Sequence, residues 1–295
     1  MHDGLRKLYD QTAPSNAVRP QPRWPGTMPI SIRYSSRTSR PVFRLAAVAV
    51  ALASFALPAA AQGPTDEIQV YDGGIAETGK FNLTLHTNFT PDGARDPAFP
   101  GAIISNHSFD GGFEWAYGAR PWLELGLYLP LYSVTNQYGP TVNGGKLRLL
   151  FASPNADERR FFYGANFEFS YNSARWDSRR YTSEIRPIVG WHIHPWDFIF
   201  NPILDNSWSG GIAALEFNPA ARVAYHVNSQ WAVAAEQYSG FGPLRELLPH
   251  GQQVQQIWAA FDHYATMNIE GGVGFGLTPA SDKVTLKLMF SRDLN

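Results

Sequence analysis

The side chains of this chain that can do chemistry are of three kinds. The largest set is ionisable and recurs at every-other spacing: His86, Glu114, Glu124, Lys146, Arg148, Glu168, Glu184, Arg186, Glu216, Arg222, Glu236, Asp262, Glu270 and Lys287. Rings of such groups around a passage set its ionic selectivity. The competing reading is a network of paired charges filling a closed interior, because buried charges must pair. The second kind is hydrolytic. His107-Ser108 supplies a base and a hydroxyl, but no acid stands at a spacing that completes a triad. The third is metal-binding. His192 and His194 are two residues apart near a turn, where histidines are more often only solvated. The chain has no cysteine, so thiolate metal sites and disulfides are excluded. No metal or cofactor is expected.

The elements that must position these residues are strands. Phe161–Tyr171, FFYGANFEFSY, puts Phe161, Tyr163, Ala165, Phe167, Phe169 and Tyr171 on one face, and Phe162, Gly164, Asn166, Glu168 and Ser170 on the other. Its length is the most that a tilted strand needs to cross a bilayer, and its aromatic ends suit two interfacial girdles. A half-buried strand of a soluble β-protein has the same pattern, so repetition decides. The alternation recurs in twelve segments, beginning near Phe81, Gly112, Trp122, Lys146, Phe161, Glu184, Phe198, Leu215, Trp231, Ile257, Asn268 and Val284. Connections after the first, third, fifth and ninth segments are the longest, whereas those after even segments are mostly tight turns. This is the asymmetry of a bacterial membrane barrel. The third segment places Leu123, Leu125, Leu127, Leu129 and Leu131 on one face, opposite Trp122, Glu124 and Tyr128. Pro187, Pro202 and Pro219 lie inside segments and predict kinks or shortened strands.

Composition agrees. Charged residues are 17% of the 295, below the roughly 25% of soluble domains, and aromatics are 14%. There is no apolar run long enough for a spanning helix. The N-terminus differs from the rest. Residues 1–44 hold eight basic residues against Asp3 and Asp10, and the apolar run Leu45–Leu57 and Pro58-Ala59-Ala60-Ala61 come next. This predicts a secretory signal peptide over 1–61, cleaved after Ala61, with Met28 as an alternative start that would leave 1–27 outside the protein. Residues 62–80 are polar and Gly-containing and read as a lead-in, either periplasmic or tucked into a lumen; 81–295 would form the barrel. Losing 1–61 removes eight of 24 basic residues and two of 25 acidic ones. The mature chain then stands near −7, which argues against nucleic acid as a partner.

The direction of the faces needs its own argument, because a soluble barrel turns its apolar face inward and a membrane barrel turns it to lipid. The export signal, the Trp and Tyr residues near segment ends, and the scarcity of Lys on the charged face all favour lipid. Closure would also remove the edges that long strands otherwise expose.

The stretches EIQVYDGGIAETGKFNLTLHTNFTP (67–91), FEWAYGARPWLELGLYLPLYS (113–133), NPILDNSW (201–208) and LKLMFSRDL (286–294) carry a resemblance. Over most of 62–295 the chain resembles a family of Gram-negative outer-membrane β-barrel proteins, some regarded as transporters associated with aromatic-degradation pathways. None of these stretches is a catalytic motif. The resemblance implies a barrel ending on an aromatic assembly signal; here Phe290 is followed by SRDLN, so Phe290 serves as the signal or insertion uses another feature. FSYNSARWDSRRY (169–181) also faintly resembles outer-membrane phospholipase A, but Asn172 precedes Ser173 where that chemistry requires His. The reading is therefore an all-β, antiparallel up-and-down transmembrane barrel of about twelve strands that passes or binds a small solute. A lipid hydrolase, or a closed barrel acting through its outer loops, are the alternatives. Expected partners are outer-membrane lipid and lipopolysaccharide, the barrel-assembly machinery and a small solute. Sec-dependent export to the outer membrane is expected.

Overall fold

A computed structural model describes residues 65–207 and 214–295. The basic leader, the apolar run Leu45–Leu57 and the expected cleavage after Ala61 lie outside the described residues. Fourteen strand segments form one antiparallel sheet: β1 (Phe81–Asp92), β2 (Ser108–Arg120), β3 (Leu123–Thr135), β4 (Gly139–Ala152), β5 (Phe161–Asn172), β6 (Tyr181–Ile193), β7 (Trp196–Asn201), β8 (Leu204–Ser207), β9 (Glu216–Phe217), β10 (Ala220–His226), β11 (Trp231–Gly240), β12 (Val254–His263), β13 (Asn268–Gly276) and β14 (Val284–Asp293). β7 and β8 are two halves of one stave interrupted at Pro202, and β9 and β10 are halves of another interrupted at Pro219. The sheet therefore has twelve staves, and it closes where β1 pairs with β14 and β5 with β6. Every segment anticipated from alternation is present, in order.

The apolar face points outward. Leu147 is 60% exposed whereas its neighbour Arg148 is 5% exposed, and this alternation holds along the wall. Aliphatic residues flanked by Tyr and Trp face outward, and charged residues face the lumen. A soluble barrel would show the reverse, so the arrangement is that of a membrane barrel. Connections 93–107, 136–138, 173–180, 241–253 and 277–283 leave one end; 121–122, 153–160, 194–195, 227–230 and 264–267 leave the other, where β1 begins and β14 ends. By the length rule the first end is extracellular.

Three details depart from the sequence reading. The loop expected after Ser133 is mostly strand: β3 runs to Thr135 and β4 begins at Gly139. Ladder hydrogen bonds do not need side-chain alternation above the apolar belt, so polar and Gly-rich residues continue the sheet there. Leu131 faces the lumen and is 1% exposed, not outward with the other leucines. The register shifts between Tyr128 and Leu131, and the extra residue of this bulge at Leu129-Pro130 flips the facing of the later residues of β3. Trp122 stacks on Phe151 on the outer surface, 6.0 Å between ring centres, because it sits in the turn before β3 begins.

Candidate functional site

The lumen is occupied by the chain's own lead-in. Residues 65–80 run from the extracellular half of the barrel to its periplasmic mouth and turn there into β1. Side chains of the wall hold their backbone at several points. Asn88 Nδ2 donates to Thr65 O at 2.8 Å, Lys287 Nζ to Ile68 O at 3.2 Å, and an Arg186 amino group to Gln69 O at 3.1 Å. Asn201 bonds Tyr71 twice, accepting from its N–H at 2.7 Å and donating to its carbonyl at 3.0 Å. Ala76 N–H donates to Glu124 at 2.5 Å. Only at the mouth does the main chain take over: Gly79 N–H donates to Gly118 O at 2.7 Å, and Thr78 bridges Gly118 in parallel. A Cβ at Gly118 would run into the carbonyl oxygens of Ala76 and Glu77, so glycine is what allows the segment to sit this close to the wall.

The ionisable residues gather into three groups. In the first, Lys146 on β4 lies 2.8 Å from Asp66, 3.1 Å from Glu168 and 3.5 Å from Glu67. Arg186 on β6 pairs with Glu184 at 2.7 Å and Glu67 at 3.5 Å, and its guanidinium lies over the Tyr71 ring. The Tyr71 hydroxyl shares a 2.8 Å hydrogen bond with Tyr128. Glu67 thus lies between the cations of Lys146 and Arg186. In the second group, Arg148 bridges Glu114, at 2.6 Å, and Glu124, and His86 Nε2 is 2.9 Å from Glu114. In the third, Arg222 on β10 meets Glu236, Asp262 and Glu270, and Lys287 lies 2.6 Å from both Glu236 and Glu270. Thirteen of the fourteen sequence-derived residues fall into these groups. The other, Glu216, stands on the inward parity at the extracellular rim and pairs with Arg179 of the 173–180 loop at 3.2 Å.

The first group needs the lead-in, which supplies Asp66 and Glu67; the third is built almost wholly from the wall. Sequence reasoning missed Asp66, Glu67, Tyr71 and Asn201, because a non-alternating segment does not reveal which side chains it will meet. It also missed Trp258, which lies inside the lumen at 2% exposed where Gly274 on the next strand leaves room for its ring. Beside the lead-in, a cavity of about 390 Å³ opens at the periplasmic mouth, lined among others by Asp72, Glu77, Glu124, Arg148, Arg222 and Asp262.

The other candidates are not assembled as their spacing suggested. Ser108 Oγ lies within hydrogen-bond distance of Asp110 and of Ser105 O, while the His107 ring lies 2.7 Å from the Asn106 amide. His192 and His194 do not converge. His192 stacks on Phe162 and bonds Asp197 at 2.7 Å, and Asp197 also meets His226 at 2.5 Å. His194 is exposed in the turn. Among the described residues no group of three or more His, Asp or Glu side chains is placed to hold a metal ion.

No protein-family model matches this chain, and no curated protein is detectably similar in sequence. Its fold has solved counterparts. It is similar to a COG4313 outer membrane channel from Pseudomonas putida F1, at 12% identity over 77% of this chain and 100% of the other, with a TM-score of 0.52. Weaker likenesses are a BenF-like porin from Pseudomonas fluorescens Pf-5, at 9% identity, 75% and 100% coverage and a TM-score of 0.31, and LpxR from Salmonella typhimurium, at 9%, 72% and 99%, and 0.37. At 12% identity the first of these likenesses shows the barrel fold alone.

Proposed function

We propose that this protein is an outer-membrane channel for a small solute, and that residues 65–80 occupy the path the solute takes. One observation carries the reading. The barrel is closed by its own ladder, but its interior is filled by a segment held mainly through side-chain hydrogen bonds and ion pairs. Such contacts can be exchanged for water or solute without opening the wall. A barrel closed for purely structural reasons fills its lumen with side chains of its own wall. Acidic residues outnumber basic ones on the lumen wall, which favours cations over anions. Lipid and lipopolysaccharide surround the barrel in this reading, and the assembly machinery inserts it after Sec export and signal-peptide removal.

Single-channel conductance in a planar bilayer tests the reading. The mature chain is expected to conduct little or intermittently, and deletion of residues 65–79 is expected to raise the unit conductance several-fold while leaving the barrel inserted. Equal conductance for the two proteins would overturn it.

A further inference from the structure

The outer end of the lumen is covered by residues 93–107, which connect β1 to β2. The root of this loop is held by many bonds. Ala94 N–H donates to Asp282 Oδ1 at 2.8 Å and to Ser105 Oγ at 3.1 Å, and the Ser105 hydroxyl donates to the same Asp282 oxygen at 2.5 Å. Gly93 N–H donates to Asn106 Oδ1 at 3.1 Å, Asn106 N–H to Ala94 O at 3.1 Å and His107 N–H to Thr90 O at 2.8 Å. A Cβ on Gly93 would lie 2.7 Å from both Asp282 and Thr90, so glycine is what lets the two stems close on that carboxylate. The tip is held by fewer contacts. Ile103 N–H donates to Arg175 O at 3.0 Å, the Tyr138 hydroxyl donates to Gly101 O at 3.2 Å, and the Arg175 guanidinium lies 4.2 Å from the centre of the Tyr138 ring.

The two attachments lie on opposite sides of the barrel. Asp282 belongs to the β13–β14 hairpin and Arg175 to the β5–β6 hairpin, six of the twelve staves away, so the loop spans the mouth. Ala102 and Ile103 form its buried underside, and the inward-facing Thr90, Asp110, Ser133 and Asn143 around it are buried as well. Between this cover and Thr65 and Ile68 of the lead-in, beside Thr285, there is a cavity of about 10 Å³, room for a single water. A solute on the axis must therefore displace the loop even after the lead-in has withdrawn.

We propose that loop 93–107 is a lid hinged at its root, which opens the outer mouth when its tip parts from Arg175 and Tyr138. Burial of Ala102 and Ile103 keeps it shut at rest. The polar contacts at the tip are few and of a kind that water replaces, so the tip opens before the root does. The lid rests on the axial reading, to which it adds a second closure: the lead-in sets the conductance of an open channel, and the lid sets how often the channel opens.

The chain has no cysteine, so a single introduced thiol reports only its own surroundings. The test places Thr285→Cys beneath the lid of the full chain and labels whole cells with a charged maleimide too large for general porins. Labelling is expected to be slow, and several-fold faster when Tyr138→Ala and Arg175→Ala are added. Equal rates overturn the lid. So does labelling of Thr285→Cys alone as fast as that of Gly251→Cys, a loop position whose Cβ meets open space. If the altered protein fails to insert, amide exchange of the unaltered one decides: faster exchange across 101–103 than at Ala94 and Asn106 supports the lid, and equally slow exchange at both overturns it. The reagent reaches Thr285 from outside without passing the lead-in. Failure of the lid therefore leaves in place the conductance change expected on deleting 65–79, whereas loss of that change counts against the axial reading and leaves the labelling rates as they are.

Discussion

At the scale of single residues, the lumen charges are buried and shared, so their removal is not equivalent. Arg222 stands among Glu236, Asp262 and Glu270, two of which it shares with Lys287. Arg222→Ala leaves buried carboxylates uncompensated and is expected to cost about 3–5 kcal/mol, seen as a lower denaturant midpoint of the folded barrel. Arg179→Ala, at the wetter rim, is expected to cost about 1 kcal/mol or less. Equal losses would mean that the interior is hydrated and the pairs are weak. Glu67 of the lead-in sits between Lys146 and Arg186 of the wall. Glu67→Gln should loosen the segment and raise conductance at neutral pH; unchanged conductance would mean that the remaining contacts hold the segment without it.

At the scale of elements, the lead-in is a strand-like segment with one main-chain anchor. Gly118 is that anchor, and the close approach of Ala76 and Glu77 leaves no room for a side chain. Gly118→Val should keep the barrel folded, since β2 pairs with β1 and β3 through its ladder, but should free the root of the lead-in. The measurement is protease cleavage within 65–80 from the periplasmic side, expected to be faster in the variant; no change would mean that the side-chain contacts higher in the lumen hold the segment alone. The bulge at Leu129-Pro130 acts at the same scale. It turns Leu131 inward and Val134 outward, and β4 makes the matching adjustment at Gly144.

At the scale of the molecule, two systems of bonds are superposed. The closed ladder holds the wall, and the polar groups inside hold the lead-in. They meet at Asn201 on β7, whose side-chain amide holds the Tyr71 backbone of the lead-in. This separation is why the occupant can leave while the container remains, and the axial route depends on it. The twelve staves and the direction of their faces were legible because the period-2 pattern is local and repeats, as in Phe161–Tyr171. The grouping of the charged residues on the other parity was not legible: Arg222 and Lys287 share carboxylates although they lie on β10 and β14, and only barrel closure brings them together.

The sequence alone determined that the chain is a barrel with an apolar exterior and a charged interior, because side-chain alternation and strand length are properties of neighbouring residues. It also marked Pro187, Pro202 and Pro219 as irregular, since the missing N–H is intrinsic to the residue. Only the tertiary structure decided that residues 65–80 fill the lumen and that Asp66 and Glu67 complete the charge network. Those facts depend on register and closure, which link residues far apart in the chain and leave no trace in the spacing of any one segment.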